Sequence, residues 1–116
     1  MNENFQSDMT EMLILHVVSP GAAYGFDIAE QVLERSQGHL TFKEGELYPV
    51  LHAMERQGML HSYWVQVDDA RRRKYYRITA EGGKLLEERR DQWSNYAVGV
   101  DGVLGMPQWS DCLGVG

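Results

Sequence analysis

The spacing of apolar residues in the first half of the chain predicts three short helices. The first covers 9–18, which is apolar enough to be buried, and Asp8 stands in N-cap position with Glu11 three residues later. The second covers about 25–37, where apolar residues share one face and charged residues take the other. The third covers 45–57, with its apolar residues again three and four positions apart.

Side-chain alternation after these helices predicts a β-hairpin. Residues 60–67 and 73–78 are rich in β-branched and aromatic side chains, and Asp68-Asp69-Ala70 between them can turn the chain. Because strand side chains alternate, Tyr75 and Tyr76 face opposite sides of the ribbon. One of the two tyrosines is therefore expected in the core.

Size and composition are those of a single globular domain. The chain has 116 residues, of which 43% are hydrophobic and 24% charged. It contains neither an apolar run near the ~20 residues of a membrane span nor a signal peptide, so a cytoplasmic protein without membrane association is expected. Its single cysteine, Cys112, and its four histidines have no metal-binding spacing. No nucleophile motif or phosphate loop is present, so we expect no catalytic residue, metal or cofactor.

Positive charge is concentrated on the returning strand of the hairpin. Five of the eleven lysines and arginines fall within 71–77, although the net charge of the chain is −6. Such a cluster in an acidic chain indicates a specific anionic partner, the alternative being a solubilising hairpin tip. We expect two or three of the side chains at 71–74 to reach phosphates or the minor groove. The others would be solvated or paired with Asp68 and Asp69.

Three helices followed by a basic hairpin is the layout of a winged helix-turn-helix domain, a mainly α fold with a small β-hairpin. Residues 8–79 would form this DNA-binding domain and 80–105 a C-terminal dimerisation helix, with 106–116 as a Gly-rich tail. The third helix would enter the major groove of double-stranded DNA.

The start of the third helix supplies candidate base contacts. Tyr48 and His52 are four residues apart and share a face, while Lys43 supplies charge. Glu44 and Glu46 either accept hydrogen bonds from cytosine amino groups or belong to a solvated face.

Four segments of the sequence resemble the PadR family of bacterial transcriptional regulators. Together they cover most of 13–86 in the family's order and spacing, and their combination is specific where each alone would be weak. The segments are Tyr-Gly-Phe-Asp-Ile at 24–28, Gly-Glu-Leu-Tyr-Pro-Val-Leu at 45–51, the run 51–60, and Arg-Arg-Lys-Tyr-Tyr-Arg-Ile-Thr-Ala-Glu-Gly at 72–82.

The resemblance implies a homodimeric winged-helix repressor that a small molecule releases from operator DNA. It also implies dimerisation through the C-terminal helix. The positions that correspond to the family's DNA-contacting set are Tyr24, Gly25, Lys43, Glu44, Gly45, Tyr48, Pro49, His52, Arg72, Arg73 and Lys74.

The final helix is expected to begin after Thr79, as its N-cap, and to end near Gly105. Its apolar residues continue past the point where a small winged domain could bury them, which favours burial against a second copy. The expected dimer-interface residues are Leu86, Trp93, Ala97, Val100 and Leu104.

The resemblance also makes Trp93 and Tyr96 candidate ligand-binding residues, because in compact members of the family the corresponding helix lines the cleft between protomers. An aromatic ring there could stack on a planar ligand, such as an aromatic or phenolic molecule. The alternative is that Trp93 belongs to the dimer core. For the whole protein, the alternative is a winged-helix protein-interaction module without sequence-specific DNA binding, which the acidity of the chain favours.

Overall fold

Four helices and one three-stranded sheet make up the chain in its computed structural model, which describes residues 4–43 and 45–106. In chain order the elements are α1 (Asn4–Val18), β1 (Ala23–Tyr24), α2 (Gly25–Arg35), α3 (Leu47–Arg56), β2 (Leu60–Asp68), β3 (Arg71–Ile78) and α4 (Ala80–Leu104). The sheet is antiparallel with the order β1-β3-β2. The predicted fold class, mainly helical with a small hairpin and a long final helix, is confirmed.

The core lies where α1 meets the other elements. Ile14 and Leu15 of α1, Ile28 of α2 and Leu51 of α3 have no exposed surface. Tyr76 of β3 is 1% exposed and brings the hairpin into the same cluster. Burial of these large side chains provides the main stabilisation of the domain, and it fixes the hairpin next to α3.

The two tyrosines of β3 take opposite faces, as the alternation predicts. Tyr76 is the core residue. Tyr75 lies on the other face, where its ring is stacked on Tyr63 at 6.1 Å and meets Tyr24 edge-on at 5.5 Å. Tyr24 belongs to β1, a two-residue strand in which Ala23 pairs with Tyr76 and Tyr24 with Tyr75. A strand of this length has no periodicity, and the sequence did not predict it.

The predicted start of α1 was wrong. The helix begins at Asn4, and Asp8 lies inside it rather than at its N-cap. The carboxylates of Asp8 and Glu11 are instead bound by Arg89 of α4, which reaches Glu11 at 3.0 Å. These acidic residues therefore join two helices, a long-range role that a capping pattern cannot distinguish from a local one.

The ends of α2 and α3 differ from the predicted bounds by one or two residues. Helix α2 ends at Arg35 because the chain turns through Gln37 at φ 56° and Gly38 at φ 83°. Helix α3 begins at Leu47, after Gly45 at φ 82°, a left-handed conformation that favours glycine. Pro49 then falls in the first turn, where its missing N–H costs least.

Thr79 caps α4 as predicted and also ties three other elements together. Its Oγ1 accepts a hydrogen bond from the Gly82 amide at 3.0 Å and donates to the Gly58 carbonyl at 2.6 Å. Its own amide donates to the Met59 carbonyl at 3.1 Å. The end of α3, the start of β2, the end of β3 and the start of α4 thus meet at this residue.

Helix α4 is packed against the rest of the chain as far as Tyr96, whose ring meets Phe5 of α1, and its last turn is exposed. Leu86 is 5% exposed in the core, whereas Val103 is 87% and Leu104 66% exposed. The helix ends at Leu104, and Gly105 takes the left-handed conformation at φ 73°. The end predicted near Gly105 is confirmed, and the predicted tail lies outside the described residues except for Met106. None of the described helices is long and apolar enough to cross a membrane.

Gly82 is the residue at which we expect a small substitution to cost most. A Cβ atom there would overlap the Met59 carbonyl oxygen and lie 2.9 Å from Ile78 Cγ1, so backbone would have to move. We expect Gly82→Ala to lower the free energy of unfolding by about 2 kcal/mol. Urea denaturation measures the change.

Gly83→Ala is the matched control for this substitution. No atom lies within 4 Å of a Cβ at Gly83, which is also helical. Alanine there should leave stability unchanged or raise it by up to about 1 kcal/mol. Equal effects of the two substitutions would contradict the packing role of Gly82.

Candidate nucleic-acid interface

The exposed side of α3 carries two of the predicted base contacts. Tyr48 is 53% exposed and His52 is exposed one turn later, while Leu47 and Leu51, each one residue earlier, are buried. The helix is held by its apolar side, so this polar side is free for a partner.

The described residues just before α3 differ in their exposure and in their surroundings. Lys43 is exposed on the connecting loop, and Gly45 forms the left-handed turn before the helix. Glu46 is half-buried in a groove beside Gln6 and Thr10 of α1, away from the exposed side. Glu44, which was predicted to contact DNA, lies outside the described residues.

Tyr48 and Gly25, both members of the predicted DNA-contacting set, touch each other. A Cβ atom on Gly25 would lie 2.6 Å from Tyr48 Cε1 and 2.8 Å from its hydroxyl oxygen. Gly25 is the first residue of α2, and because it has no side chain, the Tyr48 ring can pack against the start of this second helix. The sequence predicted both residues as DNA contacts, but it did not predict that they touch each other.

Of the four consecutive cations on β3, two are paired with carboxylates. Arg71 lies 3.5 Å from Asp68 across the turn, as predicted. Lys74 lies 3.6 Å from Glu55 of α3, on the face of the hairpin that also carries Tyr76. Lys74 was expected to contact DNA, and the structure gives it an intramolecular partner.

Glu55 joins α3 to both long strands. Besides Lys74 on β3, it accepts a hydrogen bond from the Ser62 hydroxyl on β2. The hydrogen bond from Ser62 is the main reason that the pKa of Glu55 lies below its usual value, and Lys74 adds to the effect. Sequence reasoning missed Glu55, although it lies seven residues after Tyr48 and hence on the same side of the helix.

The other two cations, Arg72 and Arg73, lie against aromatic rings. The guanidinium carbon of Arg72 is 5.0 Å from the ring centroid of Trp64, and that of Arg73 is 4.4 Å from the centroid of Tyr24. Neither arginine has a carboxylate within 4.0 Å among the described residues. Their charges are therefore uncompensated within that part of the chain, on opposite faces of the hairpin.

Contacts link Arg73 to the exposed side of α3, and Arg72 lies on the opposite face of the same strand. Tyr24, under Arg73, directly precedes Gly25, on which the Tyr48 ring rests. This arrangement presents hydrogen-bond donors and charge next to an exposed helix, which suits a polyanion with grooves. We call it the helix–wing surface, comprising Tyr24, Lys43, Tyr48, Pro49, His52, Arg72 and Arg73.

The predicted ligand residues lie on the second half of α4, outside the helix–wing surface. Trp93 is 44% and Tyr96 37% exposed, with ring centroids 6.2 Å apart. Trp93 lines an open groove of about 320 Å³ together with Met12 and His16 of α1 and Arg90. The Tyr96 ring also packs on Phe5, at 4.7 Å.

The predicted dimer residues divide into two groups. Leu86 is buried within the single chain. Ala97 and Val100 are half-buried and Leu104 is exposed, and Val100 and Leu104 line an apolar groove of about 450 Å³ with Tyr96.

Comparison with known proteins identifies a single family. The model of the Transcriptional regulator PadR-like family matches residues 14–88. A transcriptional regulator of Mycobacterium tuberculosis is 33% identical over 86 residues, which cover 74% of this chain and 77% of that protein. A PadR family transcription regulator from Clostridium difficile is 32% identical with a TM-score of 0.70, over 81% of this chain and 96% of that one.

A DNA complex is present among the similar structures. Bacillus subtilis PadR, solved in complex with operator DNA, has a TM-score of 0.65 and is 21% identical. The match covers 69% of this chain and 44% of that one, and at this identity it shows the fold alone.

Proposed function

We propose that this chain, which belongs to the PadR-like family of transcriptional regulators, binds operator DNA as a homodimeric repressor and is released by a small planar ligand. The family is one of transcriptional regulators and not of enzymes. DNA binding is proposed for the helix–wing surface, and dimerisation for α4.

The observation that carries the proposal is the pairing of an exposed helix with two uncompensated arginines. Helix α3 offers Tyr48 and His52 to base edges in the major groove, while Arg72 and Arg73 bind backbone phosphates on either side. Lys74 is assigned a different role, since its partner Glu55 holds the hairpin against α3.

DNA binding is also supported by the Bacillus subtilis PadR, which shares this fold and was solved in complex with operator DNA. Eight of the seventeen aspartates and glutamates of the chain lie on α2 and α4 and not among the helix–wing residues. A protein-interaction module is the second candidate, which the net charge of −6 favours. If the wild-type protein bound all duplexes equally well, this second candidate would be favoured.

Dimerisation is supported by the uneven covering of α4. Trp93, Ala97, Val100 and Leu104 follow one another at steps of three and four residues and share one side of the helix. An apolar side of this length stays in water unless a second copy covers it. A two-fold dimer would also present two α3 helices to a palindromic operator.

Base readout is tested by Tyr48→Ala and Gly25→Ala, with a duplex selected by the wild-type protein from a random pool. We expect each substitution to weaken binding to the selected duplex by about ten- to hundredfold, and binding to random DNA by much less. Gly25→Ala acts because its methyl group displaces the Tyr48 ring. Fluorescence anisotropy titration measures both affinities.

The double variant Gly25→Ala/Tyr48→Ala is the control for this mechanism. With the ring removed, the methyl group at position 25 should add little to the loss. Equal losses on selected and random DNA would argue against base readout by α3.

Dimerisation is tested by Leu104→Asp, which places a charge on the proposed interface. We expect the dimer dissociation constant to rise by at least about tenfold, because the carboxylate would be desolvated without a partner. Val98→Asp is the matched control, since Val98 is 54% exposed on the opposite side of α4. Sedimentation velocity distinguishes the variants, and equal dissociation in both would refute this interface.

Ligand binding is assigned to Trp93, which borders the groove between α1 and α4, and to Tyr96, whose ring lies 6.2 Å from that of Trp93. The two roles of Trp93, stacking on a ligand and packing in the dimer, are compatible. Planar aromatics should quench indole fluorescence in the wild-type protein and not in Trp93→Phe. Quenching that persists in the variant would place the ligand elsewhere.

A further inference from the structure

Trp64 is a large apolar side chain that the core does not use. It lies on β2 opposite Lys74 and is 56% exposed. Within the described residues its ring makes no aromatic pair, and the cationic group over it is Arg72. An exposed tryptophan adds little to folding, so its contact with Arg72 calls for a different explanation.

In the proposed function Arg72 contacts a backbone phosphate, and such a contact is stronger if the side chain is already held in position. It lies near the tip of the hairpin, on the face that β3 turns toward α3. Arg71 and Lys74 are held by carboxylates, which also neutralise them. A carboxylate beside Arg72 would hold it equally well, but it would repel the DNA backbone.

An aromatic ring holds a guanidinium without neutralising it. The indole face attracts the plane of the guanidinium group through its π electrons. The N–H groups around the edge of that plane stay free to donate to phosphate oxygens. With Trp64 under it, the Arg72 side chain is confined before DNA arrives, so less conformational freedom is lost on binding.

We propose that Trp64 is a positioning residue of the helix–wing surface, which holds the Arg72 guanidinium in place for a backbone phosphate. This inference rests on the proposed DNA binding. It assigns to Trp64 a role in affinity for any duplex, because phosphate contacts carry no sequence information.

The test is the salt dependence of binding to a labelled random-sequence duplex. Arg72→Ala should weaken binding and lower the slope of log K against log salt by about one unit per protomer. Trp64→Ala should weaken binding by about two- to fivefold, the range expected for an exposed cation–π contact. Trp64→Phe, which keeps an aromatic face, should restore most of the loss.

A double-mutant cycle separates positioning from other effects. Trp64→Ala should cost little in an Arg72→Ala background, because the side chain that it positions is gone. In an Arg73→Ala background it should cost its full amount, since Arg73 lies on Tyr24 on the other face. Thermal unfolding of each variant should match that of the wild type.

The outcomes distinguish the inference from the proposed function. An unchanged affinity in Trp64→Ala, or an equal loss with and without Arg72, would overturn the positioning role while leaving DNA binding intact. Absence of salt-dependent binding by the wild-type protein would overturn both.

Discussion

The arrangement of the helix–wing surface depends on the hydrogen bonds of Thr79. Its hydroxyl group accepts from the start of α4 and donates to the Gly58 carbonyl just beyond the end of α3, and its amide donates to Met59 at the start of the hairpin. Gly82 lets α4 approach the Met59 carbonyl closely enough for these bonds to form. This threonine thereby contributes to fixing the relative positions of α3, the hairpin and α4, together with the core and Glu55.

The role of each cation on the hairpin depends on the group that it contacts, and less on how many cations there are. Alternate side chains of β3 point to opposite faces, and each face holds one arginine on an aromatic ring. Carboxylates take the cations before and after this pair. Where a cation meets a carboxylate, as Lys74 does, it joins parts of the protein. Where it meets only a ring, as Arg72 and Arg73 do, it stays available to an anion.

Local signals in the sequence predicted the helices, the hairpin and the Thr79 cap, because periodicity and capping act over a few residues. The start of α1 was mispredicted because Asp8 serves Arg89, which is distant in sequence. Strand β1 was missed because two residues carry no pattern. Two contacts join separate elements and could not be predicted, because only the folded chain brings the residues together. They are the Glu55–Lys74 pair and the packing of Tyr48 on Gly25.

Helix α4 is held by α1 as far as Tyr96, and its last turn extends beyond these contacts. Its 25 residues span about 37 Å at 1.5 Å per residue. Because of this length, a tilt of the whole helix by a few degrees displaces one end relative to the other by roughly two to three ångströms. In the proposed dimer, a small change in the crossing angle of the two α4 helices would therefore change the distance between the two α3 helices.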